Sequence, residues 1–449
     1  MEKIKPRTLS GFMELLPPQQ VYFDIMARKL RDSFSLYGFT PLDTPLMEAA
    51  EILLAKGGGE TDKQIYTLRK SDTDLALRYE LTASLAKYVA LNYSRLAFPF
   101  RRYEIGKVYR GERAQRGRYR EFYQADIDII GDGELDILNE AEIPGVIYKC
   151  FTSMGLERFV IHINNRKTLS GFFEIIGVGG ESADVMRVVD KLNKMGAEKL
   201  IDVFVDDLGL SKAQADEIIG FVTFEGDPFD ILDKYRGRNE MFDLGADELA
   251  AVKKHVAGFG VPDSHFKVDL SIARGLDYYT GTVYETMLTD HPGVGSVCSG
   301  GRYDNLAEYY TDRRMPGVGI SIGLTRLFSV LQEQELLNNS IMTSPADVLI
   351  IPMTDELSHA VTLAASMRES GLRVQIHGEG KKLKSKVFYA DKLGIPFVVF
   401  LGEDEINNGT ITVKELSSST QTTAAAGILT AGISEKVKAL RSGAPIKEK

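Results

Sequence analysis

The chain has 449 residues, 44% of them hydrophobic and 26% charged, with a formal net charge of −9. That length suits two or three domains with ample core-forming material. The acidic balance argues against a protein that coats DNA, although a local basic face would still be enough to meet a phosphate backbone. Two cysteines, Cys150 and Cys298, and six scattered histidines supply neither a zinc spacing nor a disulfide framework. The N-terminus, Met-Glu-Lys-Ile-Lys-Pro, lacks an apolar leader, and runs such as 397–401 are far too short to span a bilayer. A soluble, cytoplasmic protein without membrane contact is expected.

In chain order, Phe23, Met26, Leu30, Phe34 and Tyr37 recur at spacings of three and four, predicting a helix over 19–37 entered through Pro17-Pro18 and stopped by Gly38. Residues 39–46, with Pro41 and Pro45, predict extended chain at an edge or interface. Alone, this pair also fits an amphipathic surface helix with a following loop. Lys56-Gly-Gly-Gly-Glu60 lacks the ending of a phosphate-binding loop and is expected to form a loop over a site. Leu77-Arg-Tyr-Glu-Leu-Thr-Ala-Ser-Leu85 leads into a helix, and Thr82 by itself fits a helix N-cap.

Residues 98–112 and 122–130 predict an antiparallel hairpin around a loop holding Arg113, Arg116, Arg118 and Arg120. On the return strand, Tyr123, Ala125, Ile127 and Ile129 alternate with Gln124, Asp126 and Asp128, so one face packs and the other carries an amide and two carboxylates. A solvated sheet face is the plainer reading of that polar row. On the outgoing strand Glu104, Arg110 and Glu112 share a parity and are expected to converge with it. From about 170 to 258 the pattern turns helical (185–194, 198–208, 212–222, 246–256), which predicts an insertion within a sheet-based domain. Residues 336–345 read as a linker. Beyond them, strand, helix, strand, helix and strand over 347–401 predict a small α/β domain, 346–449, with a largely parallel sheet.

Three further stretches carry chemistry. Ile272-Ala-Arg-Gly-Leu-Asp-Tyr-Tyr-Thr-Gly-Thr-Val-Tyr-Glu285 sets an arginine ahead of paired tyrosines at a strand entry. Cys298-Ser-Gly-Gly-Arg-Tyr-Asp-Asn-Leu306 contains Gly300 and Gly301, which permit a backbone to lie against a ligand or simply to turn tightly. Gly317-Val-Gly-Ile-Ser-Ile-Gly-Leu-Thr-Arg-Leu327 is a strand running into a helix that bears Arg326 near its start.

Together these stretches resemble the histidyl-tRNA synthetases, a class II (class IIa) aminoacyl-tRNA synthetase family. The resemblance spans motif 1 (the 19–46 helix and strand), motif 2 (the hairpin), both histidine signatures, motif 3 and the terminal domain, in family order. It implies an α/β and α+β multidomain fold: an antiparallel class II catalytic sheet over 1–335, the helical insertion, and a C-terminal α/β anticodon-binding domain. The implied activity is histidine–tRNA ligation, with L-histidine, ATP and tRNA(His) as substrates, Mg²⁺ on the distal phosphates and a homodimer formed through motif 1.

Carried onto this chain, the catalytic residues are Arg110 and Arg274, and ATP is held by Arg110, Glu112, Arg274 and Arg326. Glu80, Thr82 and Gln124 face the α-amino group of histidine. Asp128 and Tyr279 face the imidazole, with Tyr278, Gly300 and Gly301 also in the histidine pocket. Arg113, Gln115 and Arg116 of the loop, and Lys382, Lys384 and Lys386 of the terminal domain, are expected to meet tRNA. Arginine suits the phosphate sites because its planar fork matches two oxygens at once. Some members carry a longer glutamate at Asp128, and an acidic residue is usual at Thr325. No residue is assigned to a metal. The alternative is the regulatory subunit of ATP phosphoribosyltransferase, a binding protein resembling this catalytic domain that typically lacks both the terminal domain and the catalytic arginine. A tRNA-sensing module joined to a kinase finds no kinase signature here.

Overall fold

A computed structural model describes residues 3–55, 62–113, 115, 117–273, 278–338 and 341–441. The chain divides into two compact units, one of residues 1–14 and 27–335 and the other of 15–26 and 336–449. Helix α1, Pro17–Leu36, runs through the first boundary. Its buried positions Phe23, Met26, Leu30 and Phe34 are those of the apolar stripe.

The larger unit is built on an eight-stranded sheet. Its strands are β1 (Thr40–Pro41), β5 (Phe100–Tyr109), β6 (Glu121–Ile130), β7 (Phe159–Asn165), β8 (Phe266–Val268), β9 (Thr282–Leu288), β10 (Cys298–Tyr303) and β11 (Gly317–Ile322). They lie in the order β1-β5-β6-β11-β10-β9-β7-β8, antiparallel except for the two edge pairs, β1 with β5 and β7 with β8. A small antiparallel sheet joins β2 (Met47–Ala49), β3 (Thr67–Lys70) and β4 (Thr73–Leu77) in the order β2-β4-β3. Helices α2 (Ala50–Leu54), α3 (Thr82–Asn92), α4 (Leu138–Ser153) and α12 (Leu324–Glu333) complete this part.

The extended segment expected over 39–46 pairs only at β1. Pro41 and Pro45 offer no N–H to a ladder, and Thr44 turns inward, giving its backbone N–H to Glu104 at 2.9 Å.

The β5–β6 hairpin sets the register of everything that follows. Arg102 lies opposite Asp128, Glu104 opposite Asp126, and Gly106 opposite Gln124. Strand β11 continues the rows with Gly319 beside Asp128 and Ser321 beside Asp126. On the other face Ala125, Ile127 and Ile129 are fully buried.

The helical insertion starts earlier than its sequence pattern indicated. It comprises α5 (Arg166–Ile175), α6 (Ser182–Val189), α7 (Leu192–Met195), α8 (Ala197–Asp202), a π turn at Val203–Asp207, α9 (Lys212–Val222), α10 (Pro228–Tyr235) and α11 (Glu240–Val256). Asn165 begins it by accepting a bond from the Lys167 N–H. The unforeseen α10 opens on Asp227, which caps the Phe229 N–H, with Pro228 in the first turn. Phe172, Phe221, Tyr235 and Phe242 form its aromatic core, with the first two stacked at 3.9 Å.

The smaller unit contains β12 (Val348–Pro352), α13 (Ser358–Glu369), β13 (Val374–Ile376), α14 (Leu383–Lys392), β14 (Phe397–Leu401), α15 (Glu403–Asn408), β15 (Thr410–Glu415), β16 (Gln421–Ala425) and α16 (Ala426–Arg441). Its sheet runs β13-β12-β14-β15-β16. The first three strands are parallel, as expected, but β15 and β16 return antiparallel and make the sheet mixed. Strand β16, Gln-Thr-Thr-Ala-Ala, is an exposed edge without an apolar alternation to announce it.

Candidate active site

A cavity of about 460 Å³ opens over the polar face of β6, β10 and β11. Of the residues assigned from sequence, Glu80, Thr82, Arg110, Glu112, Gln124, Asp128, Tyr278, Tyr279 and Arg326 line it. They come from the turn into α3, the end of the hairpin, β6, the approach to β9, and the first turn of α12. At about 3.3 Å per strand residue, Gln124 and Asp128 lie about 13 Å apart along β6. The cavity therefore accepts an elongated ligand laid along that strand.

The stretch along β6 from Gln124 to Asp128 is acidic and aromatic. The Tyr278 hydroxyl donates to Glu80 Oε2 at 3.1 Å, and Thr82 occupies the first turn of α3 without capping it. Gln124 donates through Nε2 to Ser321 Oγ at 2.8 Å, while its Oε1 has no hydrogen-bond partner. Asp128 accepts from the Tyr303 hydroxyl at 2.6 Å and lies 2.7 Å from Arg102 Nη2. Its Oδ2 receives no aligned hydrogen bond despite that proximity. The polar row is thus not a solvated sheet face, since Gln124, Asp126 and Asp128 are all buried.

Burial dominates the ionisation of this stretch. It pushes Asp126 up to about 8, against the opposing pull of Arg102 and Ser321. Asp128 rises to about 6 for the same reason, held lower by Arg102 and the Tyr303 hydroxyl. Burial, with Glu80 adding to it, drives the Tyr278 and Tyr279 phenols up. Both stay protonated as donors.

One end of the cavity is cationic. Arg110 donates from Nε to the Tyr79 carbonyl at 3.1 Å and lies over the Phe122 ring at 5.2 Å. Arg118, unassigned from sequence, joins the wall and bonds Glu112 at 3.3 Å. Arg326 reaches the Val294 carbonyl. Thr325, in the position usually acidic, is buried and accepts the Tyr123 N–H at 2.8 Å, so it ties α12 to β6 by a neutral bond.

Some expectations need correction. Glu104 lies in the polar row, opposite Asp126, but does not line the cavity. It is buried, bound to Arg78 Nη1 at 2.6 Å and to Thr44, while Arg110 and Glu112, past the end of β5, reach the cavity wall. Gly300 and Gly301 do not line the cavity. A Cβ on Gly300 would meet the Gly319 carbonyl oxygen at 2.1 Å, and one on Gly301 would meet the Tyr279 ring at 2.9 Å. They serve strand packing and the seat of that ring. Gly319 does line the cavity, with Gly117 and Gly323, and a Cβ there would strike Asp128 Oδ1 at 2.2 Å.

Arg113 and Gln115 are exposed on the hairpin loop, outside the cavity wall. Lys382 and Lys384 are exposed, whereas Lys386 is buried and donates to the His377 carbonyl at 3.2 Å, so it is a structural lysine. Arg274, Arg116 and the 56–60 loop lie outside the described residues. Sequence reasoning missed Arg78, Arg102, Arg118, Ser321 and Tyr303. Arg102 shares the parity of Glu104 and could have been found by carrying the hairpin register back one more pair.

The family model for histidyl-tRNA synthetase matches residues 11–327, and that for an anticodon binding domain matches 347–436. The chain belongs to the histidyl-tRNA synthetase family. A histidine–tRNA ligase from Clostridium tetani is 49% identical over 93% of this chain and 95% of its own length. One from Xanthomonas campestris pv. campestris is 43% identical over 92% of each. A solved histidyl-tRNA synthetase from a Nostoc species superposes with TM-score 0.88 at 39% identity, covering 97% of this chain and all (100%) of that one. The fold is accordingly that of a class II synthetase, with a C-terminal anticodon-binding domain. A Bacillus halodurans protein described as an ATP phosphoribosyltransferase regulatory subunit/histidyl-tRNA synthetase shares the fold, with TM-score 0.73 and 20% identity over 89% of this chain and 99% of its own.

Proposed function

We propose that this chain is a histidine–tRNA ligase: it activates L-histidine with ATP and passes the histidyl group to the 3′ end of tRNA(His). The observation that carries the reading is a single cavity with an acidic, aromatic stretch and a cationic end, in a chain whose family membership extends over both units. Glu80, Thr82 and Gln124 offer oxygen atoms to an ammonium group. Asp128 offers a carboxylate and Tyr279 a phenol to the two ring nitrogens. A buried pocket of this kind discriminates strongly, because a ligand lacking a ring N–H would strand its polar groups.

In the first step a carboxylate oxygen of histidine attacks the α-phosphorus of ATP, the bond to pyrophosphate breaks, and histidyl-adenylate forms. The terminal ribose hydroxyl of tRNA then takes the acyl group and AMP leaves. Neither step needs a side-chain nucleophile. Arg110, Arg326 and Arg274 stabilise charge developing on the phosphate, and the cavity supplies alignment. Mg²⁺ keeps several waters and binds through few carboxylates plus phosphate oxygens. Glu112, on the cavity wall, suits such a shared arrangement and would hold the ion against the distal phosphates of ATP.

The remaining assignments are part of the same proposal: the domain limits and linker, Arg113, Gln115 and Arg116 toward tRNA, a homodimer through α1 and the following segment, and residence in the cytoplasm. Histidine-dependent exchange of pyrophosphate into ATP, followed by charging of tRNA(His), tests the function. Exchange with histidine alone among the amino acids is expected. Its absence from a folded protein would overturn the reading in favour of a binding protein.

A further inference from the structure

Beneath the cavity lies a chain of charges that the reaction as described does not use. Arg102 is fully buried on β5, directly opposite Asp128 in the hairpin register. Its Nη2 lies 2.7 Å from Asp128 Oδ2, and its Nη1 lies 3.6 Å from Glu104 Oε2. Glu104 is held in turn by Arg78 at 2.6 Å and by the Thr44 backbone N–H at 2.9 Å. Two guanidinium groups thus face two carboxylates, and Asp126 is the additional carboxyl. A buried guanidinium away from such partners would be strongly unfavourable, so Arg102 needs a positional reason to be there.

We infer that Arg102 is a positioning residue for histidine recognition: it holds the Asp128 carboxylate ionised and turned toward the substrate ring, with the Tyr303 hydroxyl fixing the other oxygen. The inference rests on the reading of this cavity as a histidine pocket. Three observations carry it. Tyr303 occupies Asp128 Oδ1 at 2.6 Å. Oδ2 is buried 2.7 Å from Arg102 Nη2, in an ion pair without an aligned hydrogen bond, and so keeps acceptor capacity. Arg102 itself is wholly withdrawn from the cavity wall and can act on substrate only through another residue.

The groups facing Asp128 are Arg102 and Glu104 from β5, Asp126 on its own strand, Tyr303 from β10 and Tyr279 beside the cavity. Burial and Glu104 oppose a charge on this carboxylate, while Asp126 is itself pushed up to about 8 by burial; Arg102 is the single cation among them. Burial, with Glu104 adding to it, pushes Asp128 upward, and Arg102 together with the Tyr303 hydroxyl restrains it to about 6. Removing Arg102 therefore shifts the carboxyl toward its protonated form and weakens it as an anionic acceptor.

The test is a kinetic comparison of wild type with Arg102→Met and Arg102→Lys by histidine-dependent pyrophosphate exchange, from pH 5.5 to 8.5. Arg102→Met should raise the KM for histidine about tenfold or more, the loss expected of a charge-assisted hydrogen bond, with the KM for ATP changed less than about twofold. The acid limb of kcat/KM for histidine should move to higher pH by about one unit. The imidazole of the substrate titrates identically in both measurements, so the difference between them reports the enzyme. Arg102→Lys should bring the limb most of the way back.

A folded Arg102→Met protein with wild-type histidine KM and an unmoved acid limb overturns the inference. So does one in which both KM values rise together while the limb stays. Should Arg102→Met fail to fold, the paired variant Arg102→Met with Glu104→Gln removes one cation and one anion together, and the same two readouts decide. A wild-type protein inactive in exchange would instead sink the histidine reading itself.

Discussion

Arg110 spends one donor on the Tyr79 carbonyl and lies over the Phe122 ring, so its plane is fixed before any phosphate arrives. Lysine keeps the charge but neither the fork nor the stacking face. Arg110→Lys should therefore lower turnover in pyrophosphate exchange by about 10²–10³, the usual cost of losing a preorganised donor, with little change in melting temperature. Near-normal turnover would remove Arg110 from the catalytic set.

Asp126 makes a separate prediction. Its carboxyl is raised by burial to about 8, so between about pH 4 and 8 the folded protein holds a proton that the unfolded chain has released. The stability associated with that proton is present at low pH and is lost as pH rises through 8. Asp126→Asn has no such dependence. Its melting temperature relative to wild type should climb steadily from pH 5 to pH 8, and a flat difference would place a charged Asp126 in the folded state.

Strand β11 is as exacting as the side chains it supports. A Cβ at Gly319 would meet Asp128 Oδ1 at 2.2 Å and the Ile127 carbonyl oxygen at 2.5 Å. Gly319→Ala should cost about 1–3 kcal/mol of stability, as overpacking does, and raise the KM for histidine more than that for ATP. Equal effects on the two substrates would show that the clash is relieved without moving Asp128.

The same strands explain what the sequence made legible. Period-two alternation in 122–130 gave both faces of β6 correctly because one face is wholly apolar. It could not show that the polar face is covered. Part of the cover comes from Tyr303 and Tyr279, brought there by folding and remote in sequence from β6. For the same reason Lys382, Lys384 and Lys386, close together in sequence, were all expected to meet tRNA, whereas α14 turns Lys386 inward to His377. Charge runs report composition, and only the helix phase decides which members meet solvent.

At the scale of the molecule, residues 345–449 carry 13 Lys+Arg against 12 Asp+Glu, a net of +1, which leaves −10 for the rest of the chain. Phosphate contacts release counterions, so each contact contributes to the salt dependence of binding. That C-terminal segment is the better electrostatic partner for RNA, and the exposed Lys382 and Lys384 are its test. Replacing both with alanine should weaken tRNA binding and flatten its salt slope, with pyrophosphate exchange untouched. An unchanged slope would leave them as an ordinary solvated turn. Removing the smaller unit outright is a different experiment from the one its sequence boundary suggests. Residues 15–26 group with it, and Tyr22 donates to the Asn338 carbonyl at 2.7 Å. A chain ending at Glu335 therefore removes the unit with which the first half of α1, including the buried Phe23 and Met26, groups. The truncated protein should lose tRNA charging, keep only part of its histidine-dependent exchange, and melt at lower temperature than the full chain. Deleting 1–26 together with 336–449 should recover part of that melting temperature, since it removes the orphaned apolar turn. If the shorter deletion already melts like the full chain, α1 does not depend on the smaller unit, and the two units are thermodynamically separable at residue 335.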